Sequence, residues 1–150
     1  MRAVIQRVAK ASVAVDGSEV SRIGPGLCCL IGVEAGDGPG DVAYIARKIC
    51  SLRIFDDGCG VMNLDVGEAE GEILLVSQFT LLGDARKGRR PSYSSAQDPE
   101  GASAVFEQVA AAVSSLHGGT VVTGRFQTTM DVDLLNHGPV TILLDSRRLF

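Results

Sequence analysis

Leu27-Cys28-Cys29-Leu30-Ile31-Gly32-Val33 is an uncharged apolar run between Gly24-Pro25-Gly26 and the loop Gly36-Asp37-Gly38-Pro39-Gly40. A run this short, bounded by turn residues on both sides, reads as a strand covered on both faces. Upstream, residues 3–8 and 11–16 read as two strands, with Val13 and Val15 alternating against Ser12 and Ala14 before the turn Asp16-Gly17. Residues 18–23 then form the return strand of a hairpin. Downstream, Val42, Ile45, Ala46 and Ile49 recur at helical spacing while Arg47 and Lys48 fall opposite, predicting a helix that ends near Leu52. Residues 53–55 begin another short strand, and residues 72–79 form a further one. Residues 83–97 are polar, basic and without periodicity. Asp98-Pro99 supplies an N-cap followed by proline at the first helical position. Ala102, Val105, Phe106, Val109, Val113 and Leu116 make one apolar stripe that Gly118-Gly119 ends. Three strands are expected after it, at 120–126, 130–135 and 140–145. The expected fold is α+β: a mostly antiparallel or mixed, barrel-like sheet covered by two helices, in a single domain over residues 1–150.

Composition agrees. The 150 residues (15.7 kDa) are 45% apolar and 21% charged, with mean hydropathy +0.20, which excludes a disordered or fibrous chain. At this length folding removes about 68–70% of the unfolded chain's surface from water, enough for a core without disulfides or structural metal. The net charge of −4 argues against a general nucleic-acid coater, so any such contact needs a local basic patch. MRAVIQRVAK has no apolar signal region and no run approaches a membrane span, so a cytoplasmic protein is expected. Cys28, Cys29, Cys50 and Cys59 form neither a CxxC nor a Cys/His quartet, and the adjacent pair points to opposite strand faces. Four reduced core thiols and no zinc follow.

Signatures of phosphate-loop, dinucleotide, zinc-protease and serine-elbow chemistry are missing. His117 ends the second helix, where a cation faces the dipole favourably; His137 lies between two strands with no serine placed beside it. Three segments stand out. In Leu75-Val76-Ser77-Gln78-Phe79-Thr80-Leu81 a buried strand runs into hydroxyls and free N–H groups, which fits either a strand turning polar as it exits or donors for an oxyanion. Asn136-His137-Gly138-Pro139-Val140-Thr141 reads as turn punctuation between strands. Arg86-Lys87-Gly88-Arg89-Arg90 carries four positive charges against Asp84, leaving +3 locally, and suits either a solvated surface or phosphate contact.

In this order the segments resemble the D-aminoacyl-tRNA deacylases, across essentially the whole chain. The resemblance begins at Met1-Arg2-Ala3-Val4-Ile5-Gln6-Arg7-Val8 and runs through Leu52-Arg53-Ile54-Phe55 and Ser77-Gln78-Phe79-Thr80-Leu81. It continues with Arg86-Lys87-Gly88-Arg89-Arg90-Pro91-Ser92 and closes on Asn136 and Gly138-Pro139-Val140-Thr141. It implies hydrolysis of the ester of D-aminoacyl-tRNA by a homodimer with sites at the subunit interface, and without metal or cofactor. A cis Gly138-Pro139 bond inserted into the partner's pocket would exclude L-amino acids, and glycine would pass. Ser77, Gln78, Phe79 and Thr80 match the pocket strand, acting mainly through backbone, with Thr80 the one hydroxyl candidate for catalysis. Arg7 matches the residue that fixes the Gly-Pro loop, and Met130 and Asn136 match substrate-binding positions. Arg86, Lys87, Arg89 and Arg90 are the expected tRNA contacts.

Two positions depart from the family pattern. Gln127 in Phe126-Gln127-Thr128-Thr129-Met130 replaces a small residue on the adenosine side. His137 replaces an acid, placing beside the filter a residue type that ordinarily titrates near pH 6.5, so a pH dependence is expected. The alternative from another class is a non-catalytic module of the same fold that holds tRNA ends or other nucleic acid.

Overall fold

The computed structural model describes residues 1–150. Residues Arg2–Val15 form one long strand, β1, rather than two. Val8 faces Asn136 and Lys10 faces Leu135, so Ala9 is an extra residue in a bulge. The bulge shifts the alternation: Ala3 and Ile5 belong to one apolar cluster, whereas Ala11 and Val13 join Val8 in the other. That change of phase is what makes the sequence look like two strands.

The rest of the sheet is built around β1. β2 (Ser18–Ile23) returns antiparallel along its second half, and β3 (Gly26–Gly32) pairs antiparallel with its first half. Helix α1 (Pro39–Ser51) follows, then a small antiparallel ribbon of β4 (Phe55–Asp56) and β5 (Met62–Leu64). β6 (Glu72–Ser77) lies parallel to β3. After helix α2 (Pro99–His117), β7 (Val121–Thr123) adds parallel to β6. β8 (Asp131–Asp145) runs antiparallel along the other edge of β1, giving a nearly closed mixed sheet of order β2-β1-β3-β6-β7 with β8 outside β1.

The run that decided the fold is buried on both faces, as its composition requires. Leu27, Cys29 and Ile31 meet Ile45, Ile49, Val109 and Val113 under the two helices, while Cys28 packs with Leu74, Val76 and Val13 on the opposite face. Helix α2 starts where Asp98 Oδ1 accepts from Gly101 N–H (3.0 Å) and stops at Gly118, φ +69°. Leu116 is exposed and does not extend the stripe.

Several expected boundaries move. The strand expected at 72–79 ends at Ser77 and passes into a 3-10 turn over Phe79–Leu82. Only residues 121–123 of the 120–126 strand pair, and the strand expected at 53–55 is Phe55–Asp56. Residues 130–135 and 140–145 belong to one strand, so the segment at 136–139 does not reverse the chain.

All four cysteines are free, but Cys59 is exposed and so is not a core thiol. Burial pushes the Cys28 and Cys50 thiols up to about 11 and raises Cys29 as well, because a thiolate would lose its hydration there. Native protein at pH 8 is therefore expected to react rapidly with a thiol-specific reagent at Cys59 alone, the remaining three thiols appearing only on denaturation. Rapid labelling of a second cysteine would contradict this burial.

Candidate active site

The buried strand β6 leaves the core at Ser77. Gln78 N–H donates to the Ile31 carbonyl (2.7 Å), extending the β3 ladder by one bond. The chain then tightens: Leu81 N–H donates to Gln78 O (3.3 Å) and Gly83 N–H to Thr80 O (3.0 Å), with Leu82 buried as the anchor. The N–H groups of Phe79 and Thr80 precede the first bond of this turn and have no acceptor within it. They emerge beside exposed side chains. Phe79 is 57% exposed, and its ring meets Tyr93 edge-on at 5.1 Å. Gln78 Nε2 donates to Thr80 Oγ1, which leaves the threonine hydrogen free to donate outward. An exposed turn that offers two backbone donors and a donating hydroxyl can polarise a carbonyl and stabilise the charge that develops on its oxygen.

The second construction is a wide bulge in β8. Gln6 faces Thr141 and Val8 faces Asn136, so residues 137–140 stand opposite Arg7 alone. Arg7 falls on the inward alternation after Ala3 and Ile5, and it is 95% buried because its guanidinium has partners. Nη1 donates to Ile54 O at 2.7 Å, Nε donates to His137 O at 3.0 Å, and Asp56 Oδ2 lies 3.5 Å from Nη1. Gly138-Pro139 is cis, and both residues are exposed. Gly138 has φ +124°, and a Cβ there would lie 2.9 Å from Arg7 Nη2. The sequence does not mark Ile54 and Asp56 as site residues, although Ile54 lies within the segment Leu52-Arg53-Ile54-Phe55 and Asp56 directly follows it. The His137 imidazole is exposed and hydrogen-bonds nothing in the chain; only its carbonyl enters the network.

No hydrogen bond or ion pair joins the turn at 78–80 to the bulge at 137–140 within one chain. The remaining expected residues are also spread out. Met130 packs on the face opposite the helices, its Sδ only 2.8 Å from where a Cβ of Gly124 would stand. Asn136 is exposed beside the bulge. In the basic loop Arg86 is tied to Asp84 (Nη2–Oδ2 2.6 Å, Nε–Oδ1 2.9 Å), which holds the Asp84 carboxyl well below the usual range. Lys87, Arg89 and Arg90 stay exposed without an acidic partner. Gln127 sits at φ +59° on an open acidic cleft of about 680 Å³ with Asp98, Glu100 and Glu107, which suits no anion and holds none of the residues above. No group of three His, Cys, Asp or Glu side chains gathers to hold a metal ion, and no helix is long and apolar enough to cross a membrane.

The chain is similar to known proteins along nearly its whole length. The D-aminoacyl-tRNA deacylase of Anaeromyxobacter dehalogenans is 54% identical over 150 residues, covering all of both chains. A solved structure described as a c-Myc DNA unwinding element binding protein superposes with a TM-score of 0.92 at 37% identity, covering 97% of this chain and 98% of that one. A probable eukaryotic D-amino acid tRNA deacylase superposes at 0.78 with 17% identity over 95% and 97% of the two chains, a likeness of fold. The profile of D-Tyr-tRNA(Tyr) deacylases matches residues 4–145, and with it the turn at Ser77–Thr80, Arg7 and the Gly138-Pro139 bulge all fall inside that match: this chain belongs to the D-Tyr-tRNA(Tyr) deacylase family.

Proposed function

We propose that this chain, a hydrolase of aminoacyl-tRNA ester bonds, releases D-amino acids from tRNA and spares L-aminoacyl-tRNA by exclusion. The observation that carries the proposal is the pairing of an open turn with unused N–H donors and an exposed Gly138-Pro139 bulge held by a buried arginine. No hydrogen bond or ion pair joins the two halves within one chain, which supports a site completed by a second copy. β8 supports the same reading. It hydrogen-bonds to β1 only, is fifteen residues long, and carries Leu135 and Leu143 more than half exposed. A long free edge with exposed leucines invites a partner.

In the proposed reaction the ester carbonyl lies against the Phe79 and Thr80 N–H groups. Water, assisted by the neighbouring ribose hydroxyl of the tRNA, attacks the carbonyl carbon. The acyl–oxygen bond breaks, and the ribosyl oxygen leaves with a proton. Thr80, whose oxygen accepts from Gln78 and whose hydrogen is free to donate, orients the substrate rather than attacking it. Backbone carbonyls of Gly138 and Pro139 from the partner occupy the space an L side chain needs, so glycine also passes. Arg7 supports the bulge, Asn136 contacts the substrate beside it, Met130 lines the adenosine side, and Lys87, Arg89 and Arg90 meet phosphates, with Arg86 fixing the base of their loop. The compartment proposed is the cytoplasm, where charged tRNA is used.

The test is release of labelled amino acid from D-Tyr-tRNA, L-Tyr-tRNA and Gly-tRNA. D-Tyr and Gly are expected to be released and L-Tyr retained. Thr80→Ala is expected to lower kcat by about tenfold, the size of a lost positioning contact rather than of a lost nucleophile. A loss of several thousandfold would instead make Thr80 the attacking group. Binding of tRNA with no release from any ester would favour the non-catalytic alternative, to which the description of the DNA unwinding element binding protein lends a precedent. Leu143→Asp is expected to give a monomer by sedimentation and to abolish release together. An active monomer would contradict a site shared between subunits.

A further inference from the structure

We infer that Arg2 is a positioning residue for the catalytic turn, an inference that rests on the function proposed above. Three cross-strand neighbours lie in one row: Asp145 on β8, Arg2 on β1 and Gly32 on β3. Together they build a seat for the 3-10 turn. Arg2 Nη1 donates to the Leu81 carbonyl at 3.1 Å, a bond that spans 79 residues of chain and reaches the turn directly after Thr80. The guanidinium is aimed by Asp145, whose Oδ2 accepts from Arg2 Nε at 3.2 Å. Asp145 cannot swing away, because its side chain is fully buried and Oδ1 accepts from Arg147 N–H at 2.8 Å.

On the other side of Arg2 the seat is formed by a missing side chain. A Cβ on Gly32 would stand 3.0 Å from the Gln78 carbonyl oxygen and 3.1 Å from Leu81 Cβ, so the turn rests directly on glycine backbone. Gly32 thus lies under both Gln78 and Leu81, the two ends of the turn, and Arg2 draws the Leu81 end. The Phe79 and Thr80 N–H groups lie between these two points, and their direction is set by them. Arg2 lies five residues from Arg7 on the same strand, about 17 Å at the usual rise, so it acts on the turn and not on the Gly138-Pro139 bulge. A displacement of about 1 Å at such donors can cost about a hundredfold in rate.

The experiment measures deacylation of D-Tyr-tRNA by Arg2→Met, Arg2→Lys, Gly32→Ala and the Arg2→Met/Gly32→Ala double variant, with hydrogen exchange of the 78–83 segment followed in parallel. Arg2→Met is expected to lower kcat by about ten- to a hundredfold with KM within about twofold, and to speed exchange in that segment. Arg2→Lys keeps a donor for Leu81 and is expected to recover part of the rate. Gly32→Ala displaces the same turn from beneath, so the double variant is expected to lose less than the product of the two single losses. A purely structural role would lower the melting temperature while leaving kcat of the folded protein and exchange at 78–83 unchanged, and that result overturns the inference. If Arg2→Met does not fold, Gly32→Ala alone decides: unchanged kcat and exchange overturn the seat. Wild-type protein that releases nothing, with faster exchange in Arg2→Met, would refute the proposed function while upholding the seat.

Discussion

Gly138→Ala is expected to lower kcat/KM for D-Tyr-tRNA by about a hundredfold and to narrow the ratio of D to L hydrolysis by at least about tenfold. Two independent features make the position intolerant. Its φ of +124° lies in a region that L side chains rarely adopt. A Cβ would also press at 2.9 Å on both Arg7 Nη2 and Val140 Cγ2, and at 3.1 Å on Val140 N. Arg7 is fixed by its bonds to Ile54 and His137, and Val140 N is backbone, so the bulge itself has to move. Because residues 137–139 of the bulge are exposed, its movement costs little stability but misplaces the carbonyls proposed to exclude L side chains. The melting temperature is accordingly expected to change by only a few degrees. Wild-type discrimination in a folded Gly138→Ala protein would remove the bulge from the selection of substrate.

Arg7→Met is expected to damage both stability and activity. The side chain is buried and satisfies the Ile54 carbonyl at 2.7 Å and the His137 carbonyl at 3.0 Å. Methionine fills similar volume without a donor. The Ile54 carbonyl belongs to a buried residue and is left unpaired, whereas the His137 carbonyl is on the exposed bulge and can turn to water. One buried acceptor lost, with some relaxation at the second, costs about 2–4 kcal/mol. For a chain of this size that corresponds to a fall of about 5–15 °C in Tm. Hydrolysis of D-Tyr-tRNA, measured well below that Tm, is expected to fall by about a hundredfold because the bulge loses its anchor. Arg7→Lys is expected to recover little, since an ammonium lacks the planar fork that reaches two carbonyls at once. An unchanged Tm in Arg7→Met would mean that the two carbonyls find other donors.

The two cases differ in how far they can be read from the chain. Arg7 stands on an inward alternation behind Ala3 and Ile5, so a charge there announces a buried partner, but not which one. Its partners come from residues 47 and 130 positions away, and no local pattern encodes that distance. By pattern Gly138-Pro139 reads as a turn between two strands, because Asn-x-Gly-Pro is common turn chemistry. The pairing of Gln6 with Thr141 and of Val8 with Asn136 shows a bulge in a continuous strand instead. Ala9 misled in the same way, since one inserted residue inverts the alternation and imitates a strand boundary. The pattern carries β6 past Ser77 because Gln78 still bonds to β3 although the chain has begun to turn.

The amino-acid order by itself determined the fold class, the doubly buried strand β3, and both helices with the Asp98 cap and the Gly118 stop, and it marked the segments of the proposed site. Those features depend on period, capping and turn chemistry, which act over a few residues. The tertiary structure alone decided that β1 and β8 are continuous, that Arg7 holds the bulge, and that Asp145, Arg2 and Gly32 line up under the turn. These depend on register between strands far apart in the chain, where a shift of one residue exchanges the faces of every side chain.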